Sequence, residues 1–326
     1  RKMCMAATYK DKDHYFGRNL DLEISYGQKV VVTPRNKEFA YRHENAEKTH
    51  LALIGMAAVV DGCPLYFDAT NENGLSMAGL NFPGNAYYGE MKEGSHNIAP
   101  FEFIPWVLCK CSTVEEARAL ISGTNLIDED FSDALPASPL HWIVSDRESS
   151  IVVEYMESGL SIYDDPAGIL TNNPPFPFHM HNLANYMNLS AGVPENRFSK
   201  DIDLRPYSRG MGAMGLPGDL SSASRFVKAA FTKLNSLSDG TEEGGMTQFF
   251  HIMDSVQQQM GCCYLGDEKY EYTIYTSCCD TDKGIYYYRT YGNSQITGVD
   301  MHRTDLDSDV LAEFPLVEGQ HVLMQN

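Results

Sequence analysis

Long apolar segments and clustered basic residues are both scarce in this sequence of 326 residues. The longest nearly apolar run, residues 51–60, spans ten residues, whereas a transmembrane helix needs ~20. Lys and Arg total 25 against 44 Asp and Glu, so the formal net charge is −19. Nucleic acids and anionic membrane surfaces attract clustered cations, which this chain lacks. We therefore predict no nucleic-acid partner and no membrane partner.

The first residues also lack the apolar stretch of a secretory signal, which predicts a cytoplasmic location and reduced cysteines. The eight cysteines include one C-x-C at 109–111 and vicinal pairs at 262–263 and 278–279. Zinc sites space their ligands as C-x2–4-C, and none of these spacings fits. We predict no metal and no cofactor.

Two further patterns are interpreted as ordinary surface or loop features. Residues 210–215 match G-x-G-x-x-G by letter, but Pro206 precedes them and Pro217 follows, where a dinucleotide site needs a strand and a helix. This segment is predicted to be a glycine loop. His179 and His181 have no nearby pair of carboxylates, so they are predicted to be surface histidines rather than ligands.

Strand patterns dominate the chain and alternate in blocks with helix patterns. The predicted helices cover 101–109, 112–121, 221–237 and 247–260. The predicted strands cover 29–34, 51–60, 65–69, 75–81, 141–145, 151–155, 160–163, 272–277, 285–291 and 295–300. No linker or repeat divides the chain, so residues 4–326 are predicted to form a single domain of the α+β class.

Cys4 opens the first apolar segment, almost at the start of the sequence. A buried structural cysteine would be ordinary there. The alternative is an N-terminal nucleophile, whose own α-amine serves as the general base for its thiol. An α-amine titrates near neutral pH, so one residue then supplies both the attack and the proton transfer.

The segments that follow resemble the choloylglycine hydrolase family, the N-terminal-nucleophile amidases that include conjugated bile acid hydrolases and penicillin V acylases. The resemblance covers essentially the whole chain. It lies in Phe16–Asp21, Gly79–Pro83, Pro100–Trp106, Leu170–Pro174, Gly215–Phe226, Tyr270–Tyr275 and Gly284–Tyr291. It implies an αββα four-layer sandwich, the N-terminal-nucleophile hydrolase fold, and a homotetramer.

The resemblance also implies a catalytic set. Cys4 matches the nucleophile, Arg18 would favour its thiolate, and Asp21 would hold the α-amine. The side chain of Asn172 and the backbone N–H of Asn81 would bind the oxyanion. Arg225 completes the set, and it falls in the first turn of a predicted helix, where the macrodipole disfavours a cation.

The implied substrate is a bile acid conjugated to glycine or taurine, cleaved at its amide bond through a thioester. Asn81 resembles the bile-acid branch of the family, where the acylase branch has tyrosine. A sterol needs an apolar wall with few polar groups. The residues that match this wall are Leu20, Val60, Phe67, Phe131 and Leu135.

Residues 1–3 depart from the family pattern, in which the precursor begins with a Met directly before the cysteine. An acylated Cys4 nitrogen is a poor base, so we interpret residues 1–3 as a leader, or as foreign residues, that the active enzyme lacks. Two alternatives remain: a penicillin V acylase, or a silent homologue that binds apolar acids because Cys4 is never freed. The sequence leaves the preference for glycine or taurine open.

Overall fold

The computed structural model describes residues 3–326, so Arg1 and Lys2 of the predicted leader lie outside the described residues. Strands make up most of the regular structure. In chain order they are β1 (Met3–Lys10), β2 (His14–Leu22), β3 (Lys29–Thr33), β4 (Leu53–Val60), β5 (Cys63–Asn71), β6 (Ser76–Asn81), β7 (His96–Ile98), β8 (Thr124–Leu126), β9 (Leu140–Ser145), β10 (Ser150–Met156), β11 (Gly159–Asp164), β12 (Ile169–Leu170), β13 (Tyr264–Gly266), β14 (Lys269–Tyr270), β15 (Tyr272–Asp280), β16 (Ile285–Thr290), β17 (Asn293–Asp300) and β18 (Ala312–Pro315).

Helices lie between these strands in two groups. The α-helices are α1 (Phe103–Leu108), α2 (Val114–Ser122), α3 (Phe176–Asn182), α4 (Ser222–Asn235) and α5 (Glu242–Asp254). Short 3-10 turns occupy Pro100–Glu102, Leu183–Tyr186, Met211–Ala213 and Met301–Arg303. The third of these turns occupies the glycine segment 210–215, and no strand directly precedes it.

Two antiparallel sheets form the centre of the molecule. One has the strand order β12-β1-β2-β15-β16-β17, and the other β11-β10-β9-β6-β5-β4-β3-β18. Helices α4 and α5 pack on β1, β2, β12 and β15 of the six-stranded sheet, whereas α1 packs on β5 and β6 and α2 on β9 of the eight-stranded sheet. Contacts of β1 and β2 with β6 join the two sheets face to face. The layers are therefore helix, sheet, sheet and helix, the αββα arrangement predicted above.

The helix predicted over 247–260 is displaced in the structure. It begins at Glu242, where the Thr241 hydroxyl accepts a hydrogen bond from the N–H of Gly244 at 2.9 Å, and it ends at Asp254. Two consecutive glycines in its first turns lower helix propensity, so the sequence pattern did not indicate that the helix begins here. A Cβ on Gly245 would meet the Tyr15 ring at 2.7 Å, so the glycine permits close packing.

No helix within residues 3–326 is both long enough and apolar enough to cross a bilayer.

Gly17, on β2, allows a close approach of β15. A Cβ at this position would lie 2.0 Å from the backbone oxygen of Ser277. We predict that Gly17→Ala lowers the free energy of unfolding by about 1–3 kcal/mol, because the strands must separate to admit the methyl group. Thermal unfolding measures this loss. Gly292→Ala, where an added Cβ meets no atom within 4 Å, is the control and leaves the midpoint within error.

Candidate active site

Cys4 lies near the start of β1, buried to 2% exposure and paired with Leu20 of β2. Its backbone is held on both sides. The Cys4 N–H donates to Asn172 Oδ1 at 2.9 Å, and the Cys4 carbonyl accepts from Arg225 Nη1 at 2.8 Å. The nucleophile predicted from the sequence is therefore fixed by two residues that are far from it along the chain.

Asn172 follows β12 and connects the elements of the site. Its Oδ1 also accepts from Arg225 Nη2 at 2.8 Å, and its Nδ2 donates to the carbonyl of Asn81 at 2.8 Å. A primary amide carries two N–H donors. One hydrogen of Nδ2 thus remains for a further acceptor.

Arg18 reaches Cys4 from β2, with 1% of its surface exposed. Its Nη1 donates to the carbonyls of Phe67 at 2.8 Å and Gly79 at 2.7 Å, and the positive charge of the guanidinium acts on the Cys4 side chain. Burial raises the pKa of the Cys4 thiol, and Arg18 opposes this rise. Arg18 therefore acts in the direction predicted, although burial outweighs it in a chain that retains Met3.

The Asp21 carboxylate lies near Cys4 and Arg18, but its hydrogen bonds go to other residues. It accepts from Thr273 Oγ1 at 2.6 Å and from Gln258 Nε2 at 3.0 Å. Burial raises the pKa of Asp21, and the charge of Arg225 opposes that rise. The Cys4 nitrogen is a peptide N–H here and bonds to Asn172, so the role of Asp21 in holding an α-amine stays a prediction.

Glu271 is a site residue that the sequence analysis missed. It is fully buried, and its Oε1 accepts from the Met3 N–H at 2.8 Å. Burial, with the negative charge of Asp21 second, raises the pKa of Glu271 to about 8. Its only signal in the sequence is its position inside the resembling segment 270–275.

The prediction that His179 is a surface residue was wrong, whereas His181 is exposed as predicted. His179 is fully buried on α3, where its ring stacks on Phe226 at 4.9 Å between centroids. Its Nε2 donates to the Asn172 carbonyl at 2.8 Å. Burial lowers the pKa of His179, so the ring is neutral. This histidine faces inward because α3 turns one side towards the site and the other towards solvent.

The five residues predicted to form an apolar wall lie on separate strands and in one loop. Leu20 is buried and is paired with Cys4 across the strands. Phe67 is half-buried, and its own carbonyl accepts the hydrogen bond from Arg18. Val60 is half-buried at the end of β4. Phe131 and Leu135 are half-buried in the loop before β9, where the Phe131 N–H donates to the Leu135 carbonyl at 3.1 Å.

Comparison with known proteins assigns this arrangement to a family. The model for linear amide C–N hydrolases of the choloylglycine hydrolase family matches residues 4–314. The chain belongs to the choloylglycine hydrolase family. It is thus a hydrolase of linear amides with the N-terminal-nucleophile fold, and both of these predictions are confirmed.

Several relatives are similar over nearly their whole length. The bile salt hydrolase/transferase of Lactiplantibacillus plantarum is 54% identical over 96% of this chain and 97% of its own, and that of Clostridium perfringens is 38% identical over 96% of each. A crystal structure of conjugated bile acid hydrolase from Clostridium perfringens has a TM-score of 0.92 at 36% identity, covering 99% of this chain and 100% of that one. A penicillin V acylase from Agrobacterium tumefaciens has a TM-score of 0.76 at 18% identity, covering 97% of this chain and 92% of that one, so it shares the fold.

Among the described residues, no three His, Cys, Asp or Glu side chains are grouped so as to hold a metal ion.

The buried hydrogen bond from His179 to Asn172 is predicted to stabilise the protein and to position Asn172. We predict that His179→Phe, which retains a ring against Phe226, destabilises the protein by about 1–3 kcal/mol because it leaves the Asn172 carbonyl without a donor. It also slows amide hydrolysis, because the Asn172 backbone loses one of the hydrogen bonds that position it. Thermal unfolding and kcat measure the two effects. The exposed His181→Phe is the matched control, and equal behaviour of the two variants would contradict this role.

Proposed function

We propose that this protein is a bile salt hydrolase, which cleaves the amide bond of bile acids conjugated to glycine or taurine. The observation that carries the proposal is the position of Cys4, held by Asn172 and Arg225 with Arg18 at its thiol. Relatives that are named for this activity match nearly the full chain. The substrate class is inferred from those names together with the apolar wall.

The proposed mechanism uses only groups of this chain. The Cys4 thiolate attacks the amide carbonyl, and the free hydrogen of Asn172 Nδ2 stabilises the oxyanion together with the Asn81 N–H. The Cys4 α-amine takes the thiol proton and passes it to the leaving glycine or taurine. The bile acid then remains as a thioester, until water activated by the same amine releases it and restores the thiol.

Arg18 and Arg225 contribute different things to this mechanism. The positive charge of Arg18 opposes the rise in the pKa of the Cys4 thiol, so it stabilises the thiolate. Arg225 bonds both the Cys4 carbonyl and Asn172 Oδ1, so it keeps the nucleophile and the oxyanion donor in register. We propose that the Asp21 carboxylate accepts a hydrogen bond from the α-ammonium group of Cys4 once the peptide bond to Met3 is cleaved.

This mechanism predicts that activity depends on a free Cys4 nitrogen. A protein that begins at Cys4 releases glycine and taurine, whereas a protein that keeps Met3 does not, because an amide nitrogen is no base at neutral pH. Intact-mass measurement identifies the two forms, and amine release is assayed on each. Cys4→Ser in the first form lowers the rate by orders of magnitude, and Cys262→Ser, at an exposed cysteine, leaves it unchanged.

Equal turnover by the two forms would exclude the α-amine as base. Binding of bile acid without turnover by both forms would favour the silent homologue instead.

The proposed wall predicts how recognition divides between steroid and amine. Burial of the apolar steroid at ~25 cal/mol/Å² supplies most of the binding energy, because the amine tail offers few contacts. We predict that Leu135→Gln raises KM for glycocholate and taurocholate by similar factors. kcat/KM for both conjugates is compared with the wild type. Selective loss of one conjugate would place Leu135 at the amine side.

Penicillin V acylase is the competing assignment within the family. Asn81 supports the bile-acid branch, and its carbonyl receives the Asn172 side chain at 2.8 Å. A wild-type kcat/KM that is higher for penicillin V than for every bile acid conjugate would reverse the assignment.

We also propose a homotetramer of single-domain chains, located in the cytoplasm. The assembly is supported by segment 187–214, which presents large apolar side chains to solvent that a second copy could cover. The exposed residues are Met187, Val193, Phe198, Ile202, Leu204, Tyr207 and Met214. The location is supported by the eight cysteines, which are all free thiols.

A further inference from the structure

Asp68 is a carboxylate buried between the two sheets, with 1% of its surface exposed. It belongs to β5 of the eight-stranded sheet, yet all its hydrogen-bond donors come from the six-stranded sheet. The Tyr286 hydroxyl lies 2.8 and 2.7 Å from its two oxygens. Ser277 Oγ lies 3.3 Å away and the Tyr275 hydroxyl 3.4 Å away. These contacts belong to none of the catalytic steps described above.

Two short routes connect Asp68 to Arg18. The Arg18 backbone N–H donates to Ser277 Oγ at 3.1 Å, and the same hydroxyl donates to Asp68 Oδ2. At its other end, Arg18 Nη1 donates to the carbonyl of Phe67, the residue before Asp68, at 2.8 Å. Asp68 therefore lies beside two of the contacts that hold Arg18 in place. Gly17 allows this arrangement, because β15 could not approach β2 so closely over a side chain.

Charge couples the same residues. Burial disfavours the charge of Arg18, but Cys4, Tyr275 and Asp68 raise its pKa above the ordinary value. Burial raises the pKa of Asp68 to about 6, against the opposing effects of Arg18 and of the hydroxyl donors. Asp68 thus carries a negative charge at neutral pH and loses it in mild acid.

The remaining ionisable groups in this region belong to several elements. The groups that interact with Arg18, Asp68 or the Cys4 thiol, besides those three residues themselves, are Asp21, Arg225, Glu271, Tyr275, Cys279 and Tyr286. Burial raises the pKa of both tyrosines and of Cys279 far from neutrality. Asp21 and Glu271 lie on the Arg225 side of Cys4, and a substitution of Asp68 leaves them in place.

We propose that Asp68 is a positioning residue that controls how much of the Arg18 charge is available to the Cys4 thiolate. The inference rests on the proposed role of Cys4 as nucleophile. An ionised Asp68 competes with the thiolate for the same guanidinium. A neutral Asp68 leaves that guanidinium to the thiolate alone.

The sign of the effect follows from this competition. Above pH 6, wild-type Asp68 is mostly ionised, so the thiolate is less stable than Arg18 alone would make it. Below pH 6, Asp68 takes up a proton and the thiolate gains relative stability. Protonation of Asp68 therefore offsets part of the loss of thiolate that occurs as the pH falls.

The test is the rate at which iodoacetamide alkylates Cys4, followed by mass spectrometry of its peptide from pH 5 to 8. Asp68→Asn keeps the shape and one acceptor oxygen but carries no charge. We expect the ratio of variant to wild-type rates to be near one at pH 5. Between pH 7 and 8 the ratio rises to roughly 3–10, as expected for removing a negative charge that competes with the thiolate for Arg18.

A second variant covers the case in which Asp68→Asn does not fold. Tyr286→Phe removes the donor that contacts both Asp68 oxygens, so Asp68 stays neutral to higher pH and the alkylation ratio again rises above one between pH 6 and 8. Tyr287→Phe, one residue along β16, is the matched control with a ratio of one throughout. The Tyr287 hydroxyl is instead influenced by Glu242 and Asp280.

Two outcomes would overturn the inference. A ratio independent of pH in folded Asp68→Asn would mean that the carboxylate is only structural, and so would equal profiles for Tyr286→Phe and Tyr287→Phe. Failure of the proposed function is distinguishable, because wild-type enzyme with Cys4 alkylated would then still hydrolyse its substrate.

Discussion

The structure depends on the burial of two guanidinium groups on either side of Cys4. Arg18 and Arg225 are each 1% exposed. An unpaired buried charge costs several kcal/mol, so each cation must find acceptors inside the protein. Backbone carbonyls supply most of them. These are the carbonyls of Phe67 and Gly79 for Arg18, and of Cys4 and Leu220 for Arg225.

This requirement explains why the site lies where it does. Arg18, on the six-stranded sheet, donates to two carbonyls of the eight-stranded sheet and so joins the sheets, whereas Arg225 joins α4 to Cys4 at the start of β1. Arg225 lies in the first turn of α4, where the helix dipole disfavours a cation by ~0.3–1 kcal/mol. Its three hydrogen bonds, to Leu220, Cys4 and Asn172, offset that cost. The same bonds fix the distance between the nucleophile and the oxyanion donor.

Sequence reasoning reached the candidate catalytic residues but missed three buried residues near them, Asp68, His179 and Glu271. Cys4 and Arg225 carry local signals, a position near the start and a cation in a helix's first turn. Asp68 and Glu271 carry none, because their partners lie in distant strands, and Glu271 is 268 residues from Met3. His179 was misassigned because a short helix gives too little periodicity to show its buried side. The strand pattern of β2 also fails locally, since all nine of its residues are buried and no alternation remains.

The charges around Cys4 also explain why the peptide bond to Met3 matters. In the chain that retains Met3, the Cys4 nitrogen is an uncharged amide, while Asp21 and Glu271 both oppose a thiolate. Burial then keeps the thiol protonated in spite of Arg18. Under the proposed mechanism, removal of Met3 frees Glu271 Oε1 of its N–H donor and places an ammonium group where the amide was. That cleavage would add a positive charge near Asp21, supply the general base, and lower the cost of forming the thiolate at Cys4 Sγ.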